Sequence, residues 1–172
     1  MSLQDLTPKA DPQGSSGGES NELEFKSSLR WDYKNEKVTK KLEEVILKSI
    51  SSFANGEGGK LIIGIGDNGE ILGLDHDYTN LGGDKDKFEI HLRNIINHAF
   101  GENFGASGLS IKFDKTNDSE ICIIDILKWK KPLFLESKDN NGQKSKKFYI
   151  RSGNTSQKLG LDEISDYISS RF

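Results

Sequence analysis

The chain is poor in cysteine and proline: Cys122 stands alone, and there are only three prolines among 172 residues. A single cysteine excludes an intrachain disulfide and a cysteine-based zinc cluster. No apolar run approaches the ~18–20 residues of a membrane-spanning helix. Met1–Gly18 carries no apolar stretch of the signal-peptide kind. The expectation is a soluble, cytoplasmic protein with no membrane partner. A uniform basic coat is also missing, since 24 Lys and Arg stand against 27 Asp and Glu, for a net charge of −3. Hydrophobic residues make up 33%, and the 18 glycines leave room for a modest core.

What is present is segregated charge. Residues 67–89 hold seven acids and two bases, a net of −5, and residues 126–151 hold eight bases and two acids, a net of +6. Such blocks matter through where the fold brings them. Met1–Gly18 is polar and rich in Gly, Ser and Pro, so a disordered leader or an appended segment is expected there. Residues 19–172 form the expected single domain.

Periodicity supplies the elements. Leu23 and Phe25 alternate with polar residues, predicting a short strand. Val38, Leu42, Val45, Ile46, Ile50 and Phe53 predict a helix from about Lys37 to Ala54, stopped at Asn55-Gly56. Lys60–Ile65 reads as a strand, Asp67-Asn68-Gly69 as a tight turn and Glu70–Leu74 as the return strand. Phe88, Leu92, Ile95, Ile96 and Ala99 predict a second helix that Gly101 ends. Leu109–Phe113 and Glu120–Leu127 read as strands joined at Asn117-Asp118. Leu133–Leu135 and Lys147–Arg151 flank a polar hairpin loop, and Leu161–Ser170 is a last helix. The expected architecture is α+β: one mixed sheet, two main helices on one face and a C-terminal helix.

Two glycine motifs resemble nucleotide loops and fail on context. Gly64-Ile65-Gly66-Asp67-Asn68-Gly69 fits G-x-G-x-x-G, but the dinucleotide fingerprint needs a helix next, and a strand is expected here. In Gly56-Glu57-Gly58-Gly59-Lys60, Ala54 stands where a P-loop has its first Gly and Leu61 where it has Ser or Thr. These glycines are read as turn and close-packing positions.

The basic block suggests phosphate contacts. Lys26, Lys128, Lys130 and Lys131 are candidate cations, with Lys144, Lys146 and Lys147 on the hairpin. Arg151 leads into Asn154, Thr155 and Ser156, small hydrogen-bonding residues that suit a phosphate loop. Trp129, Phe134, Phe148 and Tyr149 are candidate stacking rings, or else core. His76, His91 and His98 lack metal-ligand spacing and read as surface or core-edge residues. Asp75 and Asp77 read as a solvated acidic loop, and Cys122 as buried core.

Several pieces in order carry a resemblance: Glu19-x4-Glu24-Phe25-Lys26, then Ser52-Phe53-Ala54-Asn55, then Glu57-Gly58-Gly59 with Leu61-Ile62-Ile63-Gly64-Ile65 and Asp67-x-Gly69, then Phe148-Tyr149-Ile150-Arg151-x-Gly153-Asn154-Thr155. Over about Glu19–Leu159 the chain resembles the Schlafen AlbA-like domain family. The resemblance implies an AlbA-like fold and binding of DNA or RNA, with no cofactor required for binding. It implies a module of a transcriptional regulator or defence protein that pairs with itself or with a second domain. In animal Schlafens a related core cleaves RNA with three acids and a divalent metal. The matching positions are Glu19, Glu24 and Asp67, which would take magnesium or manganese. Three readings therefore stand together: a binding domain, a metal-dependent endoribonuclease and a protein-interaction module.

Overall fold

The computed structural model describes residues 19–172; the expected leader, residues 1–18, lies outside the described residues. In chain order the elements are β1 (Leu23–Lys26), β2 (Trp31–Asp32), β3 (Lys37–Val38), α1 (Lys40–Asn55), β4 (Gly59–Ile63), α2 (Asp75–Asn80), α3 (Lys85–Phe100), α4 (Glu102–Ser107), β5 (Leu109–Thr116), β6 (Ser119–Ile126), β7 (Phe134–Lys138), β8 (Lys144–Ser152), β9 (Thr155–Lys158) and α5 (Leu161–Arg171).

The apolar runs of β4 and β6 place them in the middle of the main sheet, whose order is β1-β4-β6-β5. β1 and β4 run parallel, with Glu24 opposite Leu61, and the other pairs are antiparallel. Strand alternation then sorts the side chains. Leu61, Ile63, Cys122, Ile124 and Ile126 join Ile46, Ile50 and Phe53 of α1 and Phe88, Leu92 and Ile96 of α3 in one core. Both main helices thus cover one face, as expected. Leu23, Phe25, Ile62, Ile65, Ile121 and Ile123 form a second buried cluster on the opposite face.

Local chemistry sets the ends. Thr39 caps α1 by accepting from the Lys41 amide at 3.4 Å, so the helix starts later than the expected Lys37. Lys37-Val38 instead pairs with Trp31-Asp32 in a hairpin. Asp84 caps α3 through the Lys87 amide at 2.8 Å. Asn117 and Asp118, at φ 50° and 63°, form the two-residue turn between β5 and β6.

Three expectations are corrected. The return strand Glu70–Leu74 shrinks to one bridge, Ile65 with Ile71. The cause is a tight loop: the amides of Leu72 and Gly73 both donate to the Gly64 carbonyl. The strands after Pro132 do not extend the main sheet. β7, β8 and β9 make a separate antiparallel sheet packed along α1. The short helices α2 and α4 are additional, each of six residues and too short to show a period.

The glycine motifs serve packing, as expected. A Cβ on Gly58, at φ 82°, would lie 2.6 Å from the Ile126 carbonyl oxygen. One on Gly59 would lie 2.4 Å from the Phe53 ring. The main sheet and α1 approach too closely there for any side chain.

Candidate nucleic-acid interface

Glu24 alternates with Leu23 and Phe25 and therefore points toward α1, where it is buried. A carboxylate out of water needs partners, and Glu24 has three. Its Oε1 accepts from the Ser49 hydroxyl at 2.9 Å and pairs with Lys26 Nζ at 2.6 Å. Its Oε2 pairs with Arg151, which reaches in from β8. The Arg151 guanidinium also donates to the Ser20 carbonyl at 2.8 Å and sits 4.6 Å above the Phe53 ring. Its side chain is only 5% exposed. Arg151, expected as a phosphate ligand, is thus placed inside, with its charge paired to Glu24. Lys26 is likewise paired to that carboxylate and only partly exposed.

The acidic set implied by the resemblance does not come together. Glu19 accepts from the Phe25 amide at 2.9 Å. Glu24 has both oxygens engaged. Asp67 is exposed in the turn beyond β4, six residues past Leu61, the partner of Glu24. Among the described residues no three His, Cys, Asp or Glu side chains are grouped to hold a metal ion. Two cations already balance Glu24, so these residues do not fit a divalent ion as they stand.

The lysines divide into paired and free. Lys128 pairs with Glu57 at 2.9 Å, and Lys144 with Glu136 at 2.9 Å. The hydrogen bond from Lys144 holds the Glu136 carboxyl below its ordinary value. Lys130 lies 5.7 Å from the centre of the Trp129 ring, and Lys131 is exposed. Among the described residues, Lys130, Lys131, Lys138, Lys146 and Lys147 make no ion pair. They lie on β7, β8 and the turn leading into them. In the following hairpin Asn154 is exposed, while Thr155 donates to the Ser152 carbonyl at 2.9 Å. Ser156 and Ser52 share a hydroxyl hydrogen bond at 2.8 Å. Asn154 keeps its whole side-chain amide open, and the exposed Thr155 hydroxyl keeps its lone pairs.

The expected stacking rings are core. Trp129, Phe148 and Tyr149 are buried, and Phe134 packs on Phe148 at 5.1 Å. Ser52-Phe53-Ala54-Asn55 is scaffold. The Asn55 amide donates to the Leu133 and Tyr149 carbonyls and accepts from the Leu133 amide, tying α1 to the second sheet. Arg171 of α5 donates to the Gly56 carbonyl at 2.8 Å and the Trp129 carbonyl at 3.0 Å, capping the negative end of α1.

The histidines also find places. His91 and His98 line a cleft of about 700 Å³ between α1 and α3, floored by β7 and β8. His91 meets Glu43 at 2.9 Å, and Glu43 also pairs with Arg30 at 3.3 Å. His76 is exposed on α2. The solvated acidic loop is half corrected: Asp75 is exposed, but Asp77 is 1% exposed and hydrogen-bonded to Ser28, Leu29 and Arg30.

Comparison with known proteins agrees with the fold. A family model described as "Schlafen, AlbA_2" matches residues 19–160. Among solved structures, the DIP2311 protein from Corynebacterium diphtheriae shares the fold, with a TM-score of 0.55 at 17% identity. The alignment covers 88% of this chain and 24% of that one. The chain therefore spans about a quarter of that protein's length.

Proposed function

Because the chain belongs to the Schlafen AlbA_2 family, commonly associated with nucleic acid, we propose that it is a nucleic-acid-binding domain directed at phosphates. One observation carries the reading. Five lysines in the +6 block keep free charge on the second sheet and its lead-in turn. Their Nζ groups neutralise phosphates and release counterions, which supplies sequence-independent affinity. Asn154 at the adjoining hairpin adds an amide for a phosphate or sugar oxygen. Arg151 contributes by fixing β8 against β1 and α1.

No helix among the described residues is long and apolar enough to cross a membrane.

Fluorescence anisotropy on labelled DNA and RNA tests this. Lys146 and Lys147 point to opposite faces of β8, so a duplex meets at most four of the five lysines, for a log–log salt slope of about −3 to −4 and a loss of roughly 150-fold between 50 and 200 mM salt. The double variant Lys130→Ala, Lys131→Ala is expected to flatten that slope by about 2. A salt-independent affinity, or a double variant that binds as wild type does, overturns the proposal.

A further inference from the structure

Rings available for stacking lie elsewhere on the molecule. Trp31 on β2 is half-buried, while Tyr33 in the β2–β3 turn and His76 on α2 are exposed. Trp31 and His76 stack face to face, with centroids 4.6 Å apart and planes 4° from parallel. Tyr33 meets His76 edge-on at 5.4 Å. Three rings from two separate chain segments thus form one platform at the surface, in which Trp31 and His76 cover one face of each other and their outer sides are what a ligand can meet.

The platform is held from beneath. Asp77, the residue after His76, is buried and accepts from the Ser28 hydroxyl at 2.7 Å. It also accepts from the Leu29 amide at 2.8 Å and the Arg30 amide at 3.1 Å. Ser28 Oγ in turn accepts from the Trp31 amide at 2.7 Å. The backbone of Trp31 and the helix bearing His76 are anchored to the same carboxylate. Burying that charge is costly without these bonds. Its local product is the fixed spacing of two surface rings, and a platform already in place costs little to order when a ligand arrives.

Charge beside the rings is mixed, because the hairpin that carries two lysines also carries Asp32 and Glu36. Lys34 and Lys37 on the hairpin are exposed and make no ion pair among the described residues. Asp75 marks the opposite border on α2. Flat rings with two unpaired lysines on the adjoining hairpin offer the two parts of an unpaired nucleotide, its base and its phosphate, a partner each. A duplex keeps its bases stacked on one another and offers only phosphates here.

We propose that the Trp31–His76–Tyr33 platform stacks an unpaired base of single-stranded nucleic acid, whose phosphates pass Lys34 and Lys37. The proposal rests on the nucleic-acid reading and narrows its ligand to single strands at this surface. A protein ligand for the same rings is the competing outcome.

Oligo-dT and a duplex of equal length are titrated against the full chain. Trp31 fluorescence is quenched by oligo-dT, and Trp31→Phe loses the quench, since the second tryptophan, Trp129, is buried. Trp31→Ala and His76→Ala each lower single-strand affinity roughly 5- to 100-fold, the scale of one stacked base. Duplex affinity and salt slope stay at wild-type values, and Trp31→Phe binds single strands within a few-fold of wild type. His76→Ala removes only an exposed ring, so it keeps the test valid if Trp31→Ala folds poorly. If oligo-dT binds with the lysine dependence given above but neither ring variant weakens it, the platform proposal fails and the phosphate reading stands. If wild type binds neither nucleic acid, both fail.

Discussion

Replacing Arg151 with methionine separates the two roles an arginine at the end of β8 can play. Both side chains of the Glu24–Arg151 pair are almost wholly buried, at 7% and 5% exposure. Removing one partner of such a pair typically costs ~3–5 kcal/mol, because a charge is left without compensation. Lys26 remains 2.6 Å from the other oxygen of Glu24 and offsets part of that loss. The expected cost is therefore about 3 kcal/mol, which at roughly 2–4 °C per kcal/mol lowers Tm by about 6–12 °C. Arg151→Met, Glu24→Met and the double variant complete a cycle by calorimetry or urea titration. The double variant should be less destabilised than the sum of the singles by roughly 2 kcal/mol. Below its own Tm, Arg151→Met should keep the wild-type salt slope for nucleic acid. An unchanged Tm with a tenfold loss of affinity would refute the reasoning and return Arg151 to the ligand surface.

Other consequences are as direct. Gly58→Ala sets a Cβ 2.6 Å from the Ile126 carbonyl oxygen at φ 82°, whereas Gly142→Ala meets nothing within 4 Å at φ 78°. The Gly58 variant should lose roughly 1–3 kcal/mol more in urea unfolding, because backbone strain is common to both and the clash is not. Burial alone would push Asp125 up, but hydrogen bonds from Lys60 and Lys112 outweigh it and hold the carboxyl below its ordinary value. A depressed folded value means stability that is present above the unfolded pKa of about 3.9 and lost as pH falls through the folded one. The Tm gap between wild type and Lys60→Met should be open at pH 7 and close in acid. Burial pushes the Cys122 thiol far up. Its labelling by a thiol reagent should track the unfolded fraction in urea, with no reaction at the native plateau.

Much of the fold was written in local pattern. The alternation of Leu23 and Phe25 marks β1, the spacing of Phe88, Leu92 and Ile96 marks α3, and Asn117-Asp118 marks a hairpin turn. The same pattern put Glu24 on the opposite side from Leu23, but only the fold shows that this side is closed. Its partner Arg151 lies 127 residues away. Asp77 is the same lesson. Between Asp75 and exposed residues it looks solvated, yet the groups it serves are 47–49 residues upstream. The rings nearest the densest lysines are buried because β8 is covered on both faces at Phe148 and Tyr149, which a local pattern does not show. The exposed rings come from α2, which is too short to announce itself, and from a hairpin whose Lys37-Val38 reads locally as helix start. Binding residues were least legible because charge shows in a sequence and its neutralisation does not.

The polar groups gathered on β1 also bear on how copies of this domain avoid one another. β1 is an outer strand of the main sheet, and Leu23 and Phe25 turn their backbone groups away from β4. An open strand edge is a template for pairing with another chain and, in the end, for fibres. Here the Glu19 carboxylate already occupies the Phe25 amide, and the Arg151 guanidinium covers the Leu23 and Ser20 carbonyls. Side chains do the work of a missing neighbour strand. A second copy that sought to lengthen the sheet would have to displace an ion-paired arginine at β1, so sheet-to-sheet growth is directed to the far edge at β5.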